Sequence, residues 1–360
     1  MLLTILTFVI VLGVLVLVHE FGHFITAKRA GMAVEEFGFG FPPRLLSIRR
    51  GGTRYSLNLI PFGGFVKILG EGGEDKTNPK SFAHRGVGIR ALVVAAGILM
   101  NYVLAVVLLT IVNAVGVHTA LEPDQPPPAH AVVSPTVVTV AFVENDSPAA
   151  QAGVHPGDIV VSVDGAPVES VSQTVDTITQ KSGASATVLL RRGDTPLTVS
   201  VTPRVNPPEG QGPVGVQLIS TATVRYAWYR APWEAIKQTV FLTWQIISSF
   251  GQLISRLVHT GTVGGDVAGP VGIAVLTGQV RELGFLPLLQ FVALLSINLA
   301  IINVVPFPAL DGGRLLFLAI EKIRRRSVSK RLENALHTIG FGLLITLILL
   351  ITVRDVIRLF

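Results

Sequence analysis

The chain is notable first for what it lacks. None of its 360 residues is cysteine, which excludes disulfide bonds and every metal site built from thiolates. Only 14% of the residues are charged, whereas 49% are hydrophobic, and soluble domains rarely have this composition. The hydrophobic residues are concentrated in long blocks, which predicts a protein that crosses a membrane several times.

The chain does carry an excess of positive charge, with a formal net charge of +6. Basic proteins often bind nucleic acids or anionic lipids. Here the lysines and arginines cluster in two segments beside apolar blocks, residues 28–90 and 321–331, where they indicate membrane topology. We therefore predict the lipid bilayer, and no nucleic acid, as a partner.

Four apolar blocks predict membrane spans, at residues 2–27, 92–117, 285–305 and 339–353. The first lacks a basic segment before it, so it is predicted to be an uncleaved span and not a signal peptide. If both basic segments are cytoplasmic, the N-terminus, the C-terminus and the region after the second span lie outside. The stretch "PFPALDGGRLLFLAI" is predicted to interrupt the third block and then resume it.

Residues 233–258 pose a choice between a fifth span and a surface helix. Apolar residues recur at helical spacing, but Lys237, Gln238, Gln245 and Arg256 interrupt them. A fifth crossing would move the second basic segment to the outside. We therefore predict an amphipathic helix lying at the outer membrane interface.

The first span contains the motif "HEFGH". His19 and His23 are four residues apart, so both imidazoles lie on one face of a helix and can bind one metal ion. Glu20 can then reach a water molecule on that metal and take its proton. A purely structural histidine pair is the alternative. Three ionisable residues within a span are costly, however, and a metal would offset that cost.

Two histidines leave a tetrahedral metal short of a protein ligand. Asp311 is the only acid near the third block, and it lies in the proline- and glycine-rich segment "NVVPFPALDGG". Broken backbone of this kind is tolerated where it lines a polar cavity. An ordinary Asp-Gly turn is the alternative. The need for an oxygen ligand favours Asp311 as the third ligand.

The two motifs "HEFGH" and "NVVPFPALDG" together resemble the site-2 protease family of intramembrane zinc metalloproteases. The resemblance covers nearly the whole chain. It implies Zn²⁺ as cofactor, with His19, His23 and Asp311 as ligands and Glu20 as the catalytic acid and base. It also implies that Asn298 and Asn303 bind the substrate strand.

Two further stretches are similar to parts of this family. "GILMN", residues 97–101, resembles its small-residue motif, for which we predict tight helix packing. "TRYSLNLIPFGGFVKILGE" predicts a β-hairpin that turns at Pro61–Gly64. The resemblance implies that this hairpin dips into the membrane near the active site, where an edge could pair with substrate.

The segment "VAFVENDSPAAQAGVHPGDIVVSVDGAPVES" looks like part of a PDZ domain. Such a domain can bind peptide ends by strand addition, or it can act as a filter that keeps bulky substrate domains away. The stretch "GPVGIA", residues 269–274, also resembles the family and is given no chemical role. The predicted domains are a membrane core at 1–118, a Pro-rich linker at 119–136, the PDZ domain at 137–204, a linker with the amphipathic helix at 205–284, and a second membrane core at 285–360.

The predicted fold is thus a multi-pass α-helical membrane protein with a membrane-dipping β-hairpin and an inserted extracytoplasmic PDZ domain. The predicted function is zinc-dependent cleavage of single-pass membrane substrates, trimmed beforehand by another protease. The predicted location is a bacterial inner membrane, with the active site toward the cytoplasm. The alternatives are an inert membrane-anchored PDZ scaffold and a transporter. The intact Glu20 disfavours the scaffold, and the absence of an inverted repeat disfavours the transporter.

Overall fold

The computed structural model describes residues 2–120, 128–193, 195–261, 268–326 and 328–359. Residues 121–127 of the predicted Pro-rich linker therefore lie outside the described residues. The chain divides into two compact units, a helical unit of Met1–Thr110 with Pro232–Phe360 and a sheet unit of Ile111–Ala231. The helices are α1 Leu2–Arg29, α2 Val87–Val115, α3 Pro148–Gln151, α4 Val171–Gln180, α5 Ala231–Thr260, α6 Pro270–Glu282, α7 Phe285–Val304, α8 Asp311–Arg324 and α9 Lys330–Leu359.

Four helices in the described part of the chain are long and apolar enough to cross a membrane. They are α1, α2, α7 and most of α9, so the four predicted spans are confirmed by length and composition. Their mutual packing buries small and branched side chains, including Ala105 of α2 and Ala293 and Ile297 of α7. Small residues let helix backbones approach closely where lipid provides no hydrophobic driving force.

Helix α5 is amphipathic, as predicted, and it is not among the four span candidates. One face, with Ala235 and Leu242, packs on α2 and α7. The opposite face leaves Trp233, Phe241 and Trp244 largely exposed. Exposed aromatic residues are typical of a membrane interface, and the predicted interfacial position remains a prediction.

The β-structure after α1 differs from the predicted hairpin. Strand β1, Val34–Arg50, pairs with β2, Thr53–Ile68, through a turn at Gly51 and Gly52, both of which have positive φ. Residues 36–39 lie between residues 54–57 and residues 64–67 and pair with both. The two arms of the predicted hairpin therefore do not pair with each other. The chain does reverse between the two arms, and Gly63 there has a φ of 99°, which agrees with the predicted turn at Pro61–Gly64.

The segment after the third span also differs from the prediction. Residues 311–324 do not resume the span but form a separate helix, α8. A Cβ atom at Gly312 would collide with the backbone carbonyls of Val304 and Val305, so α8 begins tightly against the end of α7. Glycine at position 312 therefore allows this close approach of α8 to the end of α7.

The sheet unit contains β3 Val117–Ala120, β4 Val132–Val133, β5 Val137–Val143, β6 Ile159–Val163, β7 Ala166–Pro167, β8 Ala186–Arg192, β9 Thr195–Val201 and β10 Val216–Arg225. Its main order is β3-β10-β5-β6-β8-β9. Strand β10 pairs with β5, and Val214, Val216 and Leu218 join the same apolar core. The predicted PDZ boundary at residue 204 is therefore too early, because a linker was predicted where the sheet continues.

Candidate metal centre

Helix α1 brings its two histidines together on one face, as the spacing of four requires. The Nε2 atoms of His19 and His23 are 3.2 Å apart, and the His19 side chain is buried. The Nδ1 atom of His23 donates to the backbone carbonyl of Val93, 2.9 Å away on α2, when the ring is neutral. This hydrogen bond leaves the Nε2 lone pair of His23 directed toward His19.

Asp311 comes to the same point from nearly three hundred residues away. Its Oδ2 atom lies 3.1 Å from Nε2 of His19 and 3.2 Å from Nε2 of His23. Asp311 is the first residue of α8, where a carboxylate is favoured by the helix dipole. The structure thus brings His19, His23 and Asp311 into one cluster capable of holding a metal ion.

The donor triangle fits zinc. Tetrahedral Zn²⁺ with bonds of about 2.0–2.1 Å holds neighbouring ligand atoms about 3.3–3.4 Å apart, and the three donor atoms here are 3.1–3.2 Å apart. The Asp311 Oδ2 atom is buried and makes no hydrogen bond. A buried carboxylate oxygen facing two imidazole nitrogens is therefore suited to a metal.

Helix α2 forms a cradle for the two imidazoles. Val93, Gly97 and Asn101 are each four residues apart, so they share one helix face. A Cβ atom at Gly97 would lie 2.6 Å from Cε1 of His23 and 2.9 Å from Cε1 of His19. Gly97 therefore makes room for both rings, which goes beyond the predicted role in helix packing.

Asn101 is fully buried, and its side-chain amide lies 3.3 Å from Nδ1 of His19. The amide can present either its oxygen or its nitrogen here by a half-turn of its terminal bond. When the oxygen faces Nδ1, it accepts a hydrogen bond from the Nδ1–H group of His19, which leaves Nε2 free for a metal. Sequence reasoning missed Val93 and Asn101 as supports, although the spacing of four from Gly97 was a readable signal.

Glu20 opens onto a cavity of about 550 Å³ that also contains the donor triangle. The strand β2 passes beside Glu20, because a Cβ atom at Gly64 would lie 3.5 Å from the Glu20 Cγ atom. The cavity is lined by His19, Glu20, His23, Phe65, Val66, Ile68, Glu71, Phe82, Val93, Val94, Ala309, Asp311, Arg314, His337, Thr338 and Phe341. It is large enough for water and a short length of peptide.

Two ion pairs hold α8 in place beside this cavity. Arg90 of α2 forms two hydrogen bonds to Glu321, at 2.6 and 3.2 Å. Arg314 pairs with Glu71, which follows the end of β2. The helix that begins with Asp311 is therefore tied to two other parts of the helical unit.

Asn298 and Asn303 lie on α7, outside the set of residues that line the cavity. The side-chain amide of Asn298 donates to the carbonyl of Leu294, one helical turn earlier. Asn303 is buried near the end of the helix. Their predicted role in substrate binding remains a prediction.

Two histidines, an aspartate and an adjacent glutamate in a cavity large enough for water and peptide together define a metallopeptidase centre. The model of the family "Peptidase family M50" matches residues 7–347. The chain therefore belongs to peptidase family M50, whose members include the site-2 proteases.

Similar proteins agree with this assignment along their whole length. A Clostridium perfringens relative whose name describes a zinc metalloprotease is 35% identical, and the match covers 95% of each chain. Zinc metalloprotease RasP of Geobacillus kaustophilus is 29% identical over 99% of this chain and 98% of its own. The regulator of sigma-E protease RseP of Escherichia coli is 30% identical over 98% of each chain. This protein is accordingly a zinc metalloprotease of the site-2 type.

Among solved structures, the PDZ domain of an SdrC-like protein from Listeria monocytogenes is similar to part of the chain. The match is 26% identical and covers 23% of this chain and 86% of that one. The TM-score of this match is 0.21.

Proposed function

We propose that this protein is an endopeptidase that cuts peptide bonds of membrane-anchored proteins within the bilayer. The observation that carries the proposal is the location of the donor triangle. Two of its members and Glu20 lie in the second half of α1, a helix long and apolar enough to span a membrane. Ionisable residues inside a span mark a functional site by default.

The proposed roles follow from the contacts around the cavity. His19, His23 and Asp311 hold zinc, which when bound polarises the scissile carbonyl and acidifies the attacking water. Glu20 takes the proton of that water and later gives it to the leaving amine. Val93 and Asn101 orient the two imidazoles from α2.

The substrate is proposed to bind as an extended strand along residues 64–68. These residues pair with residues 34–39 on one side, and among the described residues nothing pairs with their other side. Phe65, Val66 and Ile68 line the cavity. An extended segment exposes its carbonyls, whereas those of an intact helix are shielded, so strand addition would present a cleavable bond. Asn298 and Asn303 are proposed to hold the far part of the same strand.

The exposed apolar residues of the β1–β2 sheet support its proposed place in the membrane. Leu45, Leu46 and Ile48 are more than half exposed in the absence of lipid. In water such a patch would be an aggregation hazard. In a bilayer it would be solvated, and the sheet would lie beside the span that carries His19.

The protein is proposed to lie in a bacterial inner membrane, with both termini and the sheet unit outside and the metal centre toward the cytoplasm. A membrane-anchored anti-sigma factor or a signal-peptide remnant, trimmed beforehand by another protease, fits as substrate. The sheet unit is proposed to be a PDZ domain that filters out substrates with large outer domains, with peptide reception as the alternative.

The test uses wild type and Glu20→Gln reconstituted in liposomes with a panel of single-span model substrates. Mass spectrometry of the products locates the bond that is cut. The proposal expects cuts inside the hydrophobic segment by wild type and none by Glu20→Gln. Cuts confined to the aqueous flanks would contradict intramembrane cleavage, and the absence of any cut would favour an inert scaffold.

The filter role needs a deletion that respects the observed sheet. Removing residues 137–203 would leave β10 without β5, so residues 117–225 are replaced by a Gly/Ser bridge. A filter predicts that substrates with intact outer domains are now cut. If trimmed substrates are no longer cut while zinc remains bound, the module is a receptor.

A further inference from the structure

The turn immediately before Asp311 has an unusual backbone conformation. Ala309, two residues before Asp311, has a φ of 82°, in a region that L-residues other than Asn and Asp seldom adopt. Residues in such conformations persist only when the surrounding structure holds them, and they cluster at functional sites. The turn must therefore be held by contacts from elsewhere in the helical unit.

The holding contacts come from α9. The backbone N–H of Ala309 donates to Nδ1 of His337, 2.9 Å away. Since Nδ1 accepts, a neutral His337 carries its proton on Nε2. The ring of Phe317 on α8 lies 5.6 Å from the His337 ring and packs against it.

The same face of α9 also contacts Pro308, the residue before Ala309 in the turn. Gly340 is three residues after His337, and a Cβ atom there would lie 2.6 Å from Cβ of Pro308. It would also collide with the carbonyl oxygen of Pro308. The backbone of α9 therefore lies directly against Pro308 while His337 binds Ala309.

This contact region faces the metal centre. His337, Thr338 and Phe341 line the cavity that contains the donor triangle. A displacement of the Pro308–Ala309 turn would move the Asp311 carboxylate directly, because only Leu310 separates the turn from Asp311. Metal affinity depends on the position of each ligand atom and on the groups that orient it.

We propose that His337 and Gly340 of α9 form a clamp on the Pro308–Ala309 turn that positions Asp311 for the metal. His337 is a positioning residue in this assignment, because it acts through Ala309 and Asp311. The inference rests on the proposed metal site and deepens it. It links the last span, through two adjacent contacts, to the ligand that lies farthest along the chain.

The test compares two replacements of His337 in the full-length protein in detergent. His337→Leu keeps bulk and removes the acceptor, whereas His337→Asn keeps an acceptor oxygen close to the position of Nδ1. Zinc affinity is measured by competition with a chelator, and the absorption spectrum of the Co²⁺-substituted protein reports ligand geometry. We expect His337→Leu to bind zinc about 10–100-fold more weakly, with an altered Co²⁺ spectrum. We expect His337→Asn to restore both.

Glycine variants on the same helix supply a matched pair. Gly340→Ala would push α9 away from Pro308 and should weaken zinc binding as His337→Leu does. Gly342→Ala has open space around its new methyl group and should bind zinc like wild type. If His337→Leu does not fold, Gly340→Ala against Gly342→Ala decides the question.

Wild-type zinc affinity in both His337→Leu and Gly340→Ala would overturn the clamp, and so would equal losses in His337→Leu and His337→Asn. Failure of the proposed function has a different signature. The wild-type protein would then bind zinc, with the predicted variant effects, and cut no membrane substrate.

Discussion

The two units of the molecule use apolar side chains in opposite ways. In the sheet unit, Val140, Val163 and Leu190 are only 1–2% exposed and form a closed core. In α9 of the helical unit, Ile339, Leu343 and Leu350 are 59–65% exposed. The first pattern is that of a domain folded in water, and the second is that of a surface solvated by lipid.

Buried polar groups differ between the units as well. In the sheet unit, the buried carboxylate of Asp158 binds Arg192 through two hydrogen bonds of 2.7 and 2.8 Å, and this pair raises the pKa of Arg192. That pairing satisfies both charges. In the helical unit, the Asp311 Oδ2 atom faces two imidazoles and makes no hydrogen bond. A satisfied buried charge stabilises a fold, whereas an unsatisfied one indicates a ligand.

The largest expected effect comes from Asp311→Asn. The amide keeps the size of the side chain but removes the charge and most of the donor strength. We expect zinc content to fall sharply and activity to fall with it, while Asp311→Glu retains some zinc with poor turnover. Metal analysis of purified protein is the measurement. Full zinc stoichiometry in Asp311→Asn would show that Asp311 is only a turn residue and not a metal ligand.

The proximity of His23 and Asp311 can be tested with introduced cysteines, because the chain has none of its own. His23→Cys combined with Asp311→Cys should crosslink through a short bifunctional reagent in membranes, because the native side chains are 3.2 Å apart. The control pairs His23→Cys with a cysteine at Ile323, an exposed position on α8. Equal crosslinking of both pairs would contradict the observed contact.

The next effect concerns the cradle on α2. Gly97→Ala would place a methyl group against both imidazoles, and we expect zinc affinity to drop about 10–100-fold. Gly88→Ala lies on the same helix with open space around it and controls for the change in helix propensity. Equal zinc affinity in the two variants would show that Gly97 serves helix packing alone and does not make room for the imidazoles.

A smaller effect, confined to the sheet unit, is expected from Asp158→Asn. It removes the charge that pairs with Arg192 and should destabilise this unit by about 2–3 kcal/mol. Zinc content should not change, because the metal ligands lie in the helical unit. Hydrogen exchange of β6 and β8 in the full-length protein measures the loss, with exposed Glu209→Gln as control. If Asp158→Asn slowed hydrogen exchange in β6 and β8, or if it lost zinc, the proposed difference between the two units would be contradicted.

The smallest effect depends on pH. The backbone N–H of Thr187 and the ammonium group of Lys181 lower the pKa of Asp164. A lowered pKa contributes stability above the unfolded value of about 3.9, and this stability disappears as pH falls through the folded pKa. In the Asp164→Asn variant, the backbone amide hydrogens of the sheet unit should therefore exchange faster than in wild type near neutral pH. In strong acid the two proteins should exchange at equal rates. If the difference in exchange rate between the variant and wild type grew in acid, the lowered pKa of Asp164 would be contradicted.

Much of this structure could be predicted from sequence because the bilayer imposes simple rules. Span lengths follow from its thickness, so α1 and α7 begin and end within two residues of the predicted blocks. The pairing of His19 with His23 follows from helix geometry. The approach of Asp311 was predictable only from the chemical need for a third ligand, since nothing local distinguishes it from a turn residue.

Other parts depended on tertiary contacts that no local pattern contains. Residues 36–39 separate the two arms of the predicted hairpin, and alternation within the arms cannot reveal an intervening strand. Strand β10 joins the sheet after a Pro- and Gly-rich segment that is typical of a linker. The contact of His337 with Ala309 depends on how α9 packs, and its sequence is that of an ordinary helix.

The most direct test of the proposed role of Glu20 measures zinc content and cleavage on the same preparation of Glu20→Gln. Glutamine keeps the shape of the side chain but cannot take a proton from water. We expect near-complete zinc occupancy, with activity reduced at least about 100-fold. Activity like that of wild type would contradict the role of Glu20 and with it the proposed chemistry of the site.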